Sequence, residues 1–238
     1  MPREPLLSLI SNQLIDQFPD PLDALAEPDG LLAAGGDLLA STLLDAYARG
    51  IFPWYSEGQP ILWWCPSMRS VIKPGAVKIS RSMKKTLRRH EMEVSIDRQF
   101  EHVIKSCAAP RTAHTNIEPG TWITADMRDA YIELHNNGHA HSVECHLNGE
   151  LVGGLYGVAI GRVFFGESMF SKENDASKIA LIKLSEQLHA WNYQLIDCQI
   201  HNPHLASMGA TEISRREFLN VLTPLVSRQP ADTSWQQT

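Results

Sequence analysis

Residues 139–147, 150–160 and 162–170 are three runs of strand-forming sequence separated only by Asn148-Gly149 and by Gly161. Asn-Gly adopts the positive φ pair that a two-residue hairpin turn requires. A parallel connection needs a crossover of about a dozen residues, so links this short make the strands antiparallel neighbours. The middle of the chain is therefore a meander, and the rest must cover its faces.

Helical signals flank it. Asp97 stands where a cap is expected before an apolar stripe of Phe100, Val103, Ile104 and Cys107. Residues 124–137 read as a helix stopped by Gly138. Asn174 or Asp175 opens another, with Ala180, Leu184, Leu188 and Trp191 on one face, followed by a strand over 193–200. Asn202-Pro203 starts a short helix that Gly209 ends, and Ser214-Arg-Arg-Glu217 is a capping box before Phe218, Val221 and Leu222. Residues 41–49 form a helix closed by Gly50. The expected fold class is α+β, with a mainly antiparallel sheet. The expected organisation is a small N-terminal lobe over 1–65, a larger domain over 66–228 and a polar, disordered tail over 229–238.

Composition narrows the class. The 238 residues, 43% of them hydrophobic, suffice for one large domain with a small one attached. Mean hydropathy is −0.20, and no run of about 18 apolar residues is present, so no membrane span is expected. The N-terminus, with Arg3, Glu4 and Asp16, lacks the layout of a secretory signal. Cys65, Cys107, Cys145 and Cys198 lie too far apart for metal-type pairs and read as reduced thiols of a cytoplasmic protein. A net charge of −6 argues against nonspecific coating of nucleic acid. One local basic patch stands against it: Lys78, Arg81, Lys84, Lys85, Arg88 and Arg89. With Ser80 as N-cap, Arg81, Lys84, Lys85 and Arg88 share one side of a helix, either a solvated face or a phosphate-binding stripe.

Other residues pair a structural reading with a chemical one. Trp54, Trp63 and Trp64 lie in a Pro- and Gly-punctuated segment, suited to core filling or to stacking on a planar ligand. On a strand through 193–200, Asp197 and Gln199 would point the same way, as an internal polar pair or as a polarised pair facing a reactive group. Glu167 is an edge-strand charge or the holder of a substrate ammonium, and Met169 and Phe164 fill the core or line an adjustable pocket. His139, His141 and His146 alternate along a strand without an evident third ligand, so no metal is expected. His201 and His204 flank a helix start and serve local structure. Neither a G-x-S-x-G elbow nor an outstanding cysteine is present, so the sequence offers no support for a covalent intermediate.

Ten ordered blocks carry a specific resemblance. They are Pro28-Asp-Gly-Leu-Leu, Gly35-Gly-Asp-Leu, Gly50-Ile-Phe-Pro-Trp-Tyr, Leu62-Trp-Trp-Cys-Pro, Ile79-Ser-Arg-Ser-Met-Lys, Gly120-Thr-Trp-Ile-Thr, Gly138-His-Ala-His-Ser-Val-Glu, Gly153-Gly-Leu-Tyr-Gly-Val, Gly166-Glu-Ser-Met-Phe and Ile196-Asp-Cys-Gln. Over residues 18–218 the chain resembles the bacterial leucyl/phenylalanyl-tRNA–protein transferases, with Leu155 where some relatives carry Met. The resemblance implies transfer of Leu or Phe, and less so Met, from aminoacyl-tRNA to the N-terminal α-amine of proteins beginning with Arg or Lys. That product is an N-degron of the N-end rule pathway of protein degradation. It implies a larger domain that is GNAT-like (acetyltransferase-like), in a cytoplasmic monomer without cofactor. The acyl donor being an RNA ester fits the lack of the Q/R-x-x-G-x-G/A loop that holds coenzyme A. By resemblance Gln199 contacts the attacking amine and Asp197 orients and polarises Gln199. Trp122 and Trp54 stack on the terminal adenosine. Phe164, Leu155, Met169 and Ile196 line the side-chain pocket beside Glu167 and Ser168, and Lys78, Arg81, Lys84, Lys85 and Arg88 grip the acceptor stem. The competing expectations are a tRNA-dependent aminoacyltransferase with another acceptor, a non-catalytic tRNA-binding protein and a coenzyme A–dependent acetyltransferase.

Overall fold

The computed structural model describes residues 8–10, 18–89, 91–109, 123–229 and 235. In chain order the elements are β1 (Ser8–Ile10), β2 (Leu31–Gly35), α1 (Ala40–Ala48), β3 (Phe52–Pro53), β4 (Leu62–Trp64), β5 (Met68–Ile72), α2 (Arg81–Arg89), β6 (Glu93–Ile96) and α3 (Phe100–Ala108). They continue with α4 (Ala125–Asn136), β7 (Ala140–Leu147), β8 (Glu150–Ile160), β9 (Val163–Ser171), α5 (Ala176–Ala190), β10 (Leu195–Asp197), α6 (Pro203–Ser207), β11 (Thr211–Ser214) and α7 (Arg215–Val226).

The meander forms as its turns dictate. Asn148 and Gly149 take φ of 53° and 81°, and Leu147 pairs directly with Glu150. Among the described residues, a seven-stranded sheet runs in the order β11-β5-β10-β9-β8-β7-β6, and a four-stranded sheet runs β1-β2-β4-β3. Every neighbour pair of the larger sheet is antiparallel except β9 with β10. This arrangement, a mainly antiparallel sheet with one central parallel pair and helices on its faces, is the α+β fold class expected from the sequence.

Most helix boundaries follow their capping residues. The Thr124 hydroxyl accepts from Met127 N–H at 3.2 Å, Asn202 accepts from His204 N–H at 2.8 Å, and Ser214 accepts from Glu217 N–H at 3.2 Å. Two caps differ from expectation. Asp97 sits at φ 55° and leaves the start of α3 uncapped, because its carboxylate accepts from Ser142 N–H at 2.7 Å and pairs with His141 Nδ1 at 2.7 Å. Asp175 precedes α5 at φ 67° without capping it, its carboxylate instead pairing with Lys178 at 2.7 Å. Strand β11 carries no alternating pattern of its own and forms because β5 offers an edge to pair with.

Two apolar cores cover the two faces of the large sheet. On one face α5 lays Ile179, Leu181, Leu184 and Leu188 over Val143, Leu155, Phe164 and Ile196. On the other, Val103, Met127 and Tyr131 meet Tyr156, Val158 and Phe165. Leu43, Tyr47 and Trp63 from the N-terminal segment belong to this same core. The expected boundary near residue 65 falls between β4 and β5, yet the core runs through it. Of the tail expected to be disordered, residues 230–234 and 236–238 lie outside the described residues, while Trp235 is only 5% exposed, held in a ring of aromatic side chains.

Candidate active site

The site begins where the parallel pair parts. β9 and β10 are in register only for Leu195↔Val163, Ile196↔Phe164 and Asp197↔Phe165. Just beyond, Tyr156 faces Ser168 and Gly157 faces Gly166, so Glu167 is the extra residue of a β-bulge. A bulge re-aims a side chain and ends local pairing. On the opposite lip Gln199 turns into the left-handed region at φ 58°. The chain beyond β10 stays with β5, through Cys198 N–H to Ser70 O at 2.8 Å and Ser70 N–H to Gln199 O at 3.1 Å. The side facing β9 is thereby left open.

A cavity of about 970 Å³ fills the opening. One arm is apolar, lined by Leu155, Phe164, Met169, Leu181, Leu184 and Ile196 from the face that α5 covers. Phe52, Trp54, His102, Cys107 and Tyr156 line the rest, with Glu167 and Gln199 at its polar lip. An apolar pocket with a few convergent polar groups is the usual form of a small-ligand site.

Glu167 is the polar centre. Its Oε1 accepts from Tyr47 OH at 2.7 Å and from Gln199 Nε2 at 2.8 Å, and its Oε2 accepts from Tyr131 OH at 3.0 Å. The two phenols also bond to each other. Burial pushes the Glu167 carboxyl up to about 7, against the pull of the two tyrosine hydrogen bonds. Burial, then the charge of Glu167, holds both phenols well above their ordinary range. Glu167 thus changes charge near neutrality inside a cavity, which is the setting for acid–base work.

Asp197 lies behind this lip. It is fully buried (0% exposed), and Arg69, equally buried, clasps it from Nε to Oδ1 at 2.8 Å and from Nη2 to Oδ2 at 2.6 Å. Arg69 also donates to Gly50 O at 2.9 Å, and its guanidinium carbon lies over the rings of Phe52 and Phe218, 4.9 and 4.4 Å from their centroids. Burial works against its charge, but the Asp197 carboxylate outweighs that and holds the guanidinium above its ordinary value. Asp197 Oδ1 accepts from Gln199 backbone N–H at 2.9 Å. Strand pairing ends at Asp197, so the expected shared strand face of Asp197 and Gln199 is not formed. The carboxylate fixes the backbone of Gln199, while the carboxamide is oriented by Glu167.

The structure thus gathers Leu155, Phe164, Glu167, Ser168, Met169, Ile196, Gln199 and Trp54 around one cavity, with Asp197 one layer behind. The tryptophan cluster divides its uses: Trp63 is fully buried core, whereas Trp54 is 41% exposed at the cavity wall. Trp122 lies outside the described residues. Lys78, Arg81, Lys84, Lys85 and Arg88 do not line the cavity; they lie on and just before α2, where Arg81, Lys84, Lys85 and Arg88 are exposed and Met83 is buried. Tyr47, Tyr131 and Arg69 were not singled out by the sequence. Only Arg69, a lone charge in the apolar strand β5, carried a local signal. Of the histidines, His141 joins Asp97 and His135, with ligand atoms within 4.8 Å of one another. His135 Nδ1 bonds Ala140 O at 2.8 Å, and the two rings stack on Phe100 and Trp235, which gives both a structural use. Among the described residues no helix is long and apolar enough to cross a membrane.

Comparison with known proteins agrees along the chain. The family model for leucyl/phenylalanyl-tRNA protein transferase matches residues 71–223, and that for the N-terminal domain of the same proteins matches 36–67. The leucyl/phenylalanyl-tRNA–protein transferase of Hahella chejuensis (strain KCTC 2396) is 57% identical over 205 residues, 86% of either chain. That of Azoarcus sp. (strain BH72) is 53% identical over 93% of this chain and 92% of its own. The Pseudomonas syringae pv. syringae (strain B728a) protein is 50% identical over 97% and 98%. Among solved structures, L-PGS from Bacillus licheniformis aligns at a TM-score of 0.40 and 11% identity over 72% of this chain and 53% of its own, too loose a likeness to bear on function. Identity at half the positions over nearly the full length does not arise between unrelated proteins, so the chain belongs to the leucyl/phenylalanyl-tRNA–protein transferase family and is an aminoacyltransferase.

Proposed function

We propose that the protein moves leucine or phenylalanine, and methionine less well, from aminoacyl-tRNA to the N-terminal α-amine of proteins that begin with Arg or Lys. The product is an N-degron. On this reading the enzyme is a monomer of the cytoplasm. The observation that carries the proposal is the joining of an apolar arm to a polar lip at the parting of β9 and β10. The arm of Leu155, Phe164, Met169 and Ile196 suits an unbranched or γ-branched apolar side chain. Glu167 and Gln199 stand where its backbone end would lie.

The reaction is direct aminolysis. The acceptor amine attacks the ester carbonyl, the new C–N bond forms, and the bond to the terminal ribose oxygen breaks. The proton lost by the amine ends on that ribose oxygen. An ester is already activated, so positioning and oxyanion stabilisation are the main tasks. A free α-amine has a pKa of about 7.7–8.0, so a weak acceptor suffices to take its proton. An ionised carboxylate only accepts hydrogen bonds, so Gln199 must give Glu167 its Nε2, keeping its carboxamide oxygen for an amine N–H. Glu167, titrating near 7, takes the amine proton as a carboxylate and passes it to the departing ribose oxygen. Asp197 positions Gln199 through its backbone. Trp54 and Trp122 stack on the terminal adenosine, and the basic face of α2 binds acceptor-stem phosphates irrespective of sequence.

The test supplies purified protein with radiolabelled Leu-tRNA and two peptides, one beginning with Arg and one with Ala. Label on the Arg peptide alone is the expected result. Tight Leu-tRNA binding without transfer to either would reject this acceptor class. It would leave another acceptor or a tRNA-binding role.

A further inference from the structure

Trp235 is buried although the sequence around it is polar. Its ring stacks on His141 at 4.0 Å between centroids and 8° between planes, and meets Trp191 edge-on at 4.8 Å. Its Nε1–H donates to Tyr193 OH at 3.3 Å, so its polar atom is satisfied. The remaining partner is Phe164, at 5.9 Å and 29° between planes. Phe164 lines the apolar arm of the cavity, whereas Trp235 does not.

Phe164 has little freedom on its other side. A Cβ placed on Gly157 would come within 2.6 and 2.7 Å of the Phe164 Cε1 and Cζ atoms, so that ring packs directly against the glycine. The glycine and Trp235 together determine how far the ring reaches into the arm. Leu155 and Ile196, also lining the arm, belong to the same core as Trp235.

We infer that Trp235 is a positioning residue that sets the size of the donor side-chain pocket through Phe164, making this one indole part of the enzyme's selectivity. This rests on the reading of the apolar arm as the donor pocket. Without the indole, the Phe164 ring can withdraw and the arm deepens. A deeper arm favours a phenyl ring over an isobutyl group.

The experiment compares kcat/KM for Phe-tRNA and Leu-tRNA in the full-length protein and in Trp235→Ala and Trp235→Phe. In apolar pockets one methylene is worth roughly 10- to 200-fold in discrimination, so even partial withdrawal of the ring moves the ratio by about fivefold or more toward Phe in Trp235→Ala. Trp235→Phe, which keeps a flat ring, returns most of the original ratio. A ratio unchanged within about twofold while Tm falls would overturn the inference and leave Trp235 a purely structural residue. If Trp235→Ala fails to fold, the same ratio is read in Trp235→Leu, which keeps apolar bulk without the flat ring; there too an unchanged ratio overturns it. A wild-type protein that transfers neither amino acid would instead reject the donor reading itself.

Discussion

Glu167 is a carboxyl held to about 7 by burial, so on the proposed mechanism activity and stability are expected to respond to pH in opposite directions. If the ionised form takes the amine proton, kcat/KM rises with pH through a break near 7. Glu167→Gln loses that break and keeps only the one from the acceptor amine, at about 7.7–8.0. Retention of both breaks in the variant would remove Glu167 from the proton path. For stability the sign reverses. An unfolded glutamate releases its proton near 4.5 and the folded one near 7, so the unfolded state holds fewer protons between those values. Stability from this group therefore falls as pH rises from 4.5 to 7 and is flat above. Thermal unfolding of Glu167→Gln should lack that decline and gain on the order of 3 kcal/mol at pH 8. The Arg69–Asp197 pair yields a second expectation. Arg69→Met strands a fully buried carboxylate, at a cost of about 3–5 kcal/mol in urea denaturation. Replacing both partners by apolar residues should cost less than replacing Arg69 alone. Equal costs would mean that Asp197 does not depend on Arg69 for its charge.

At the scale of elements, α2 has one apolar side and one cationic side. Met83 anchors it, the Ser80 hydroxyl caps it by accepting from Met83 N–H at 3.1 Å, and its basic residues face solvent. Reversing charge at Arg81 and Lys84 together should raise KM for aminoacyl-tRNA with little change in kcat. It should also flatten the salt dependence of binding by about 0.7–0.9 in log–log slope for each lost phosphate contact. Unchanged affinity and slope would leave α2 a merely solvated face. The bulge at Glu167 is the other decisive element, because it aims a carboxylate at Tyr47 and Tyr131 from a strand that would otherwise alternate regularly. Alternation along 162–170 gave no sign of it. A bulge is a property of two strands in register, and only Tyr156↔Ser168 beside Gly157↔Gly166 reveals the extra residue.

For the molecule as a whole, the shared core joins what the sequence divided. Tyr47 of α1 and Tyr131 of α4 both reach the carboxylate on β9, and Trp63 packs in the same cluster as Phe165 and Phe218. Unfolding in urea should therefore be one cooperative transition, with coincident midpoints for a probe on the N-terminal segment and one on the large sheet. Two separated midpoints would restore the boundary near residue 65 as a thermodynamic one.

Local chemistry determined the elements. Asn148-Gly149 made the hairpin, Thr124, Ser80, Asn202 and Ser214 started their helices, and the ordered blocks carried the family. Those signals act over a few residues, so they can be read along the chain. The tertiary structure alone decided which side chains meet. Arg69 and Asp197 are 128 positions apart, Tyr47 and Glu167 are 120 apart, and Trp235 reaches its aromatic ring from the far end of the chain. The charge state of Glu167 follows from burial among such partners, and burial is a property of the assembled core rather than of any segment.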